Sequence, residues 1–164
     1  MEEKQELISV LQSIPWFQEL EPDHFTKLVS ISHLCLWEAN QELFKEGENE
    51  DYLYVVVEGR IAIEMVVPTR GKVRVYTAEP MDIVGWSSVT PVVRQRTASA
   101  KSVLPSRMVC IEAKKLRQFC EEDHDLGYVV MRRLANVVAS RLLVTRLQLI
   151  DMFAATSPQE AQNA

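Results

Sequence analysis

The hydrophobic positions follow a helical period at the start of the chain, alternate in the middle, and return to a helical period in the last third. Leu7, Val10, Leu11 and Ile14 fall on one face of a ~3.6-residue repeat, which predicts a helix over 3–14. Pro15 ends it, because the residue before a proline is pushed out of α geometry. Glu21-Pro22-Asp23 opens a second helix, with proline at an early helical position and a carboxylate at the positive end of the helix dipole. Phe25, Leu28, Val29 and Ile31 are its apolar positions. From residue 33 the period shortens. Segments 33–38, 41–45, 52–57, 60–67, 72–77 and 107–111 are short, mostly rich in Val, Ile and Tyr, and bounded by turn residues, which predicts strands. Gly47, Gly59, Gly71 and Gly85 follow at steps of 12, 12 and 14 residues, close to the ~8–12-residue turn spacing of all-β sandwiches and barrels.

Helical spacing returns over 114–120 and again over 123–153. The second segment has no proline and makes a rod of about 45 Å. Ala135, Val138, Leu142, Thr145, Leu149 and Met152 alternate steps of three and four, the seam of a coiled coil. Val130, Leu134, Val137, Leu143, Leu147 and Ile150 lie elsewhere around the same helix. A helix apolar on more than one face is covered on more than one face. The pattern predicts one face on the β part and another on a second copy of the chain, a homodimer. The Ala/Ser/Gln/Asn-rich stretch 154–164 reads as a frayed, disordered tail.

Composition narrows the class. A chain of 164 residues with 47% hydrophobic and 25% charged content matches one soluble globular domain. No apolar run approaches the ~20 residues that span a bilayer, and the polar, acidic start resembles no secretory signal. The expected location is the cytoplasm, with no membrane partner. The net charge of −5 argues against a protein whose main task is gripping nucleic acid. Cys35, Cys110 and Cys120 are odd in number and widely spaced, so they read as buried small hydrophobes rather than a disulfide framework or zinc knuckle.

The segment 85–102 carries the candidate chemistry. Gly85-Trp86-Ser87-Ser88 is followed by Arg96-Thr97. Glycine lets backbone approach an anion, free N–H groups at a helix start point at it, and serine hydroxyls add donors. Arg96 supplies a forked, permanent cation, and Arg94 adds a second nearby. The grouping suits a small phosphate.

With these motifs in place, the chain resembles the cyclic-nucleotide-binding domain of the catabolite-activator and FNR type over about residues 10–153. Gly47-Glu48-Asn49-Glu50-Asp51-Tyr52-Leu53-Tyr54-Val55-Val56-Val57-Glu58-Gly59 is similar to the family's turn, strand and glycine in the first half of its roll. The segment 85–102 is similar to its phosphate-binding cassette, and Ile14-Pro15-Trp16-Phe17-Gln18-Glu19-Leu20 to its N-terminal turn. The resemblance implies a mainly β fold with flanking helices. N-terminal helices would cover 1–32. An eight-stranded β-roll of jelly-roll type would cover 33–113, with the cassette at 85–100. C-terminal helices over 114–153 would include the dimerisation helix.

The resemblance also implies a ligand of the cyclic AMP or cyclic GMP class, or another small anionic effector. Arg96 and Thr97 match the cassette, and Thr145 stands where relatives offer a hydroxyl to the purine. The acidic residue that accepts the ribose 2′-hydroxyl is replaced by Trp86. An indole donates one hydrogen bond and accepts none of this kind, and losing the charged acceptor costs ~1.5–3 kcal/mol. Weak or absent cyclic-nucleotide binding is the expectation.

Other features carry less. Some relatives of the resembled fold bind haem, and His33 and Cys35 share a strand face as a haem or metal pair would, but without a third ligand in sequence they read as a packed strand. His24 and His124 read as surface or capping residues. Lys114, Lys115, Arg117, Arg132, Arg133, Arg141 and Arg146 are interleaved with Glu121, Glu122, Asp123, Asp125 and Asp151, a solvated helix face. DNA binding is therefore not expected; relatives that bind DNA append a helix-turn-helix after the long helix, and transcription-factor activity is not an expectation from these residues. No nucleophile–base pair or metal cluster stands out, so the sequence makes no case for an enzyme. The leading expectation is a non-enzymatic sensory module that signals through the long helix. The alternatives are a degenerate domain serving as a dimeric protein-interaction module without nucleotide, and a fragment of, or partner to, a DNA-binding regulator.

Overall fold

In the computed structural model, residues 2–49, 51–90, 93 and 95–155 are described. Three helices lead, α1 (Glu2–Ser13), α2 (Pro15–Gln18) and α3 (Pro22–Ser30). Eight strands follow: β1 (Ser32–Trp37), β2 (Glu42–Phe44), β3 (Tyr52–Glu58), β4 (Ile61–Val67), β5 (Gly71–Ala78), β6 (Ile83–Val84), β7 (Ser99–Ser102) and β8 (Ser106–Glu112). Helices α4 (Ala113–Glu122) and α5 (His124–Ala155) come last among the described residues. Pro15 ends α1 as expected and also opens α2, where its missing N–H costs nothing. Trp16 and Phe17 of that short turn are buried.

The strands form two antiparallel four-stranded sheets, ordered β1-β8-β3-β6 and β2-β7-β4-β5. Alternation on β3 and β8 builds two cores. Tyr54, Val56, Met108 and Cys110 face the roll interior, with Phe44, Ile61, Ala78, Val84 and Ala100. Leu53, Val55, Val109 and Ile111 face outward beneath Leu11, Phe17, Leu28, Leu116, Leu126 and Leu134 of the helices. A sheet covered on both faces explains why Leu53 to Val56 are continuously buried instead of alternating with polar residues.

The structure corrects several expectations. β6 and β7 escape the strand pattern of the sequence, since one is two residues long and the other is Ser-Ala-Lys-Ser. Cys35 and Cys110 are not separate small hydrophobes. They are joined as a disulfide, with Cα atoms 6.3 Å apart and a separation of 75 positions in sequence. β8 returns beside β1 to bring them together, a juxtaposition that spacing does not announce. Cys120 alone remains a half-buried free thiol. Its burial, with the carboxylates of Asp123 and Glu121, pushes it up to about 11, so it stays protonated and unreactive at neutral pH. α5 continues through Ala154 and Ala155, and the rest of the expected tail lies outside the described residues. No described helix is long and apolar enough to cross a membrane.

Candidate functional site

The sharp turn after β6 sets the site. Gly85 adopts left-handed backbone geometry, with φ +77°, and leads into the short 3-10 turn Trp86–Ser88. A Cβ on Gly85 would stand 2.2 Å from Nη1 of Arg96. Glycine is thus required both by φ and by the close approach of the arginine.

Arg96 is only 3% exposed. Its Nη2 donates to the Tyr52 carbonyl at 2.7 Å and its Nη1 to the Gly85 carbonyl at 3.3 Å. The guanidinium lies 4.1 Å from the centre of the Phe44 ring and 5.7 Å from that of Tyr54. Burial raises the Tyr54 hydroxyl above its usual range, with Arg96 partly opposing the shift. The Arg96 backbone pairs with Glu48 and Gly47, stapling the arginine to the turn before β3.

A cavity of about 210 Å³ opens beside this arginine, against the ~10–15 Å³ that one water needs. Its walls include Gly85, Trp86, Ser87, Arg96, Thr97 and Thr145, six of the seven residues expected from sequence. Ser88 is the exception. It is buried away from the cavity, and its hydroxyl donates to the Gly85 carbonyl at 2.7 Å, closing the turn. The N–H groups of Ser88, Val89 and Thr90 also close local turns. Arginine supplies the formal positive charge of the site. Arg94 lies outside the described residues.

The second arginine of the cavity is Arg141 of α5, for which sequence pattern alone implies a solvated face. Its guanidinium lies 3.3 Å from the centre of the Tyr76 ring and 3.8 Å from the Asp82 carboxylate. Tyr76 donates to the same carboxylate at 2.8 Å. Burial and that hydrogen bond raise its hydroxyl, against the opposing pull of Arg141. The available signal was helical spacing, since Arg141 is one turn before Thr145, whose hydroxyl donates to the Arg141 carbonyl at 2.9 Å. No Asp or Glu lines the cavity among the described residues.

α5 reaches the site because its first turns are anchored. Leu126, Val130 and Leu134 are buried in the helix-side core, and Gln148 donates to the Val75 carbonyl of β5 at 3.0 Å. Of the seam, Val138 is half-buried, while Ala135, Leu142, Thr145, Leu149 and Met152 are exposed. A second group lies apart from this cavity. His33, Cys35 and Cys110 place one ligand atom each within 4.8 Å of the others, which supplies the third partner that sequence did not.

Residues 35–123, more than half of the chain, match the family model of the cyclic nucleotide-binding domain. The chain is 26% identical over 136 residues to the CRP-like cAMP-activated global transcriptional regulator of Mycobacterium tuberculosis. That match covers 83% of this chain but 58% of the regulator's length. A putative cyclic nucleotide-binding protein from Geobacter metallireducens superposes with a TM-score of 0.72 at 27% identity, covering 82% of this chain and 96% of that one. A cyclic nucleotide-binding domain from Methylobacillus flagellatus reaches 0.72 at 20% identity, covering 96% and 86%.

Proposed function

Since the chain belongs to the cyclic nucleotide-binding domain family, we propose that it is a non-enzymatic sensory module whose cavity takes a small phosphate-bearing effector and whose output runs through α5. The observation that carries this is the pairing of Arg96 from the roll with Arg141 from the helix on one cavity whose described walls hold no carboxylate. An anion seated there would be held from both sides. It would favour the arrangement with α5 docked by as much as it binds that arrangement more tightly. It would also compete with Asp82 for Arg141.

Cyclic AMP or cyclic GMP is the effector class the family suggests, and Trp86 on the cavity wall weakens it. The indole offers no acceptor for a ribose hydroxyl. The same tryptophan supports a second reading, a dimeric interaction module that binds no nucleotide.

Calorimetric titration with cyclic AMP, cyclic GMP, phosphate and pyrophosphate separates the two. The sensory reading expects at least one anion to bind, and Arg141→Ala to abolish that binding while leaving the fold intact. Trp86→Glu should tighten cyclic-nucleotide binding by about ten- to hundredfold. Silence across the whole panel, in both the natural chain and Trp86→Glu, would favour the interaction module.

A further inference from the structure

His33, Cys35 and Cys110 form a graded group running from the surface into the roll. His33 and Cys35 are two residues apart on β1 and share a face. The antiparallel register sets Cys110 of β8 directly opposite His33. Cys110 is 1% exposed, Cys35 half-buried and His33 exposed, so the imidazole forms the solvent-side entrance. The Tyr52 ring meets the His33 ring edge-on, with centroids 5.4 Å apart, and supports its orientation. None of the three lines the candidate cavity.

We propose that reduction of the Cys35–Cys110 disulfide converts this group into a site for one thiophilic divalent ion, Zn²⁺, bound by two thiolates and the His33 imidazole. Two sulfurs and one nitrogen are the donors zinc prefers, and water completes the tetrahedron. Zn–S and Zn–N bonds of ordinary length hold such donors roughly 3.5–3.8 Å apart, and the three ligand atoms here already lie within 4.8 Å. The disulfide and the metal exclude each other, because both use the same sulfur electron pairs.

The chemistry balances with an external dithiol as reductant. Its two electrons and two protons cleave the S–S bond, leaving two protein thiols, and the dithiol becomes a disulfide. Zn²⁺ then displaces both thiol protons to water and accepts the imidazole lone pair. Binding is thus coupled to proton release.

The test uses the full chain, reduced anaerobically with dithiothreitol, freed of reductant, and titrated with Co²⁺ and then Zn²⁺. The expected result is a thiolate-to-cobalt charge-transfer band saturating at one Co²⁺ per chain and displaced by one equivalent of Zn²⁺. The oxidised chain should show no band. Cys120→Ser should behave as the natural chain, since Cys120 lies on α4 outside the group. His33→Ala alters an exposed side chain and should leave the circular dichroism unchanged. It should weaken binding by at least about 100-fold, the upper end of what losing even a partner behind a ligand costs. A reduced natural chain without the band would overturn the proposal. So would undiminished binding in His33→Ala, or loss of the band in Cys120→Ser.

Discussion

At Gly85 two independent demands meet on one residue, a positive φ and a packing so close to Arg96 that a Cβ has no room. Gly85→Ala should therefore destabilise the fold by about 1–3 kcal/mol, read as a lower denaturant midpoint at unchanged slope. A midpoint equal to that of the natural chain would contradict this account of the turn. Arg96 presents a different problem. Its loss would spare the fold only if the side chain were solvent-reachable, but the guanidinium is buried, holds two backbone carbonyls and lies over two rings. Arg96→Ala should cost about 2–4 kcal/mol of stability through those lost contacts, measurable by the same denaturation. Loss of ligand binding in that variant would not distinguish a broken site from a loosened roll. Arg141→Ala is the cleaner probe, because Arg141 sits on the helix surface of the cavity and its partners Tyr76 and Asp82 remain bonded to each other.

Among the elements, the junction of α4 and α5 rests on Asp123. Its carboxylate accepts from Lys27 of α3 at 2.5 Å and from the Leu126 N–H at 3.2 Å, and lies 3.2 Å from Nε2 of His24. One residue thus caps α5 and ties the N-terminal helices to it. The Lys27 hydrogen bond, followed by the Leu126 N–H, lowers the Asp123 carboxyl to about 2, against an unfolded value near ~3.9. A lowered folded value means stability that is complete above about pH 4 and lost as pH falls toward about 2. Asp123→Asn should therefore be less stable than the natural chain at pH 7, and the gap should close between about pH 4 and pH 2. A gap unchanged across that range in denaturant melts would contradict the assignment.

The same scale shows what is legible in the sequence. β3 is readable from its run of valines behind Tyr52-Leu53-Tyr54, and β8 from its apolar stretch Met108-Val109-Cys110-Ile111. β6 and β7 are not, because Ile83-Val84 is too short to show a period and Ser-Ala-Lys-Ser carries no hydrophobic run, so pairing with β3, and with β2 and β4, defines them. The cavity residues Gly85, Ser87 and Arg96 are readable from local chemistry. Ser88 has the same local chemistry but spends its hydroxyl on closing the turn. Arg141 shares a helix face with Thr145, but its place on the cavity depends on Tyr76 and Asp82, and the Cys35–Cys110 pair depends on β8 returning beside β1, contacts between distant segments that spacing does not encode.

For the whole molecule, the decisive feature is the outer half of α5. Beyond Leu134 no described residue of the helix is fully buried, yet Leu142, Leu143, Leu147, Leu149 and Ile150 are each at least half exposed. Contiguous apolar surface of this kind is rarely left open on a soluble monomer. A second copy of the chain is the proposed cover, since a two-fold pair brings the same residues together across the axis and needs nothing complementary elsewhere. Thr145 and Arg141 lie on this stretch and also on the cavity wall, so an effector would act where the helices pair. Light scattering at tens of micromolar should then give a dimer mass for the natural chain. Leu142→Glu with Leu149→Glu removes two leucines per chain, each worth roughly 1.5–3 kcal/mol when buried, and sets like charges against each other. The double variant should run as a monomer with its helical circular dichroism retained, because both positions are exposed within one chain. A monomer mass for the natural chain at that concentration would refute the pairing, and with it the route from cavity to output through α5.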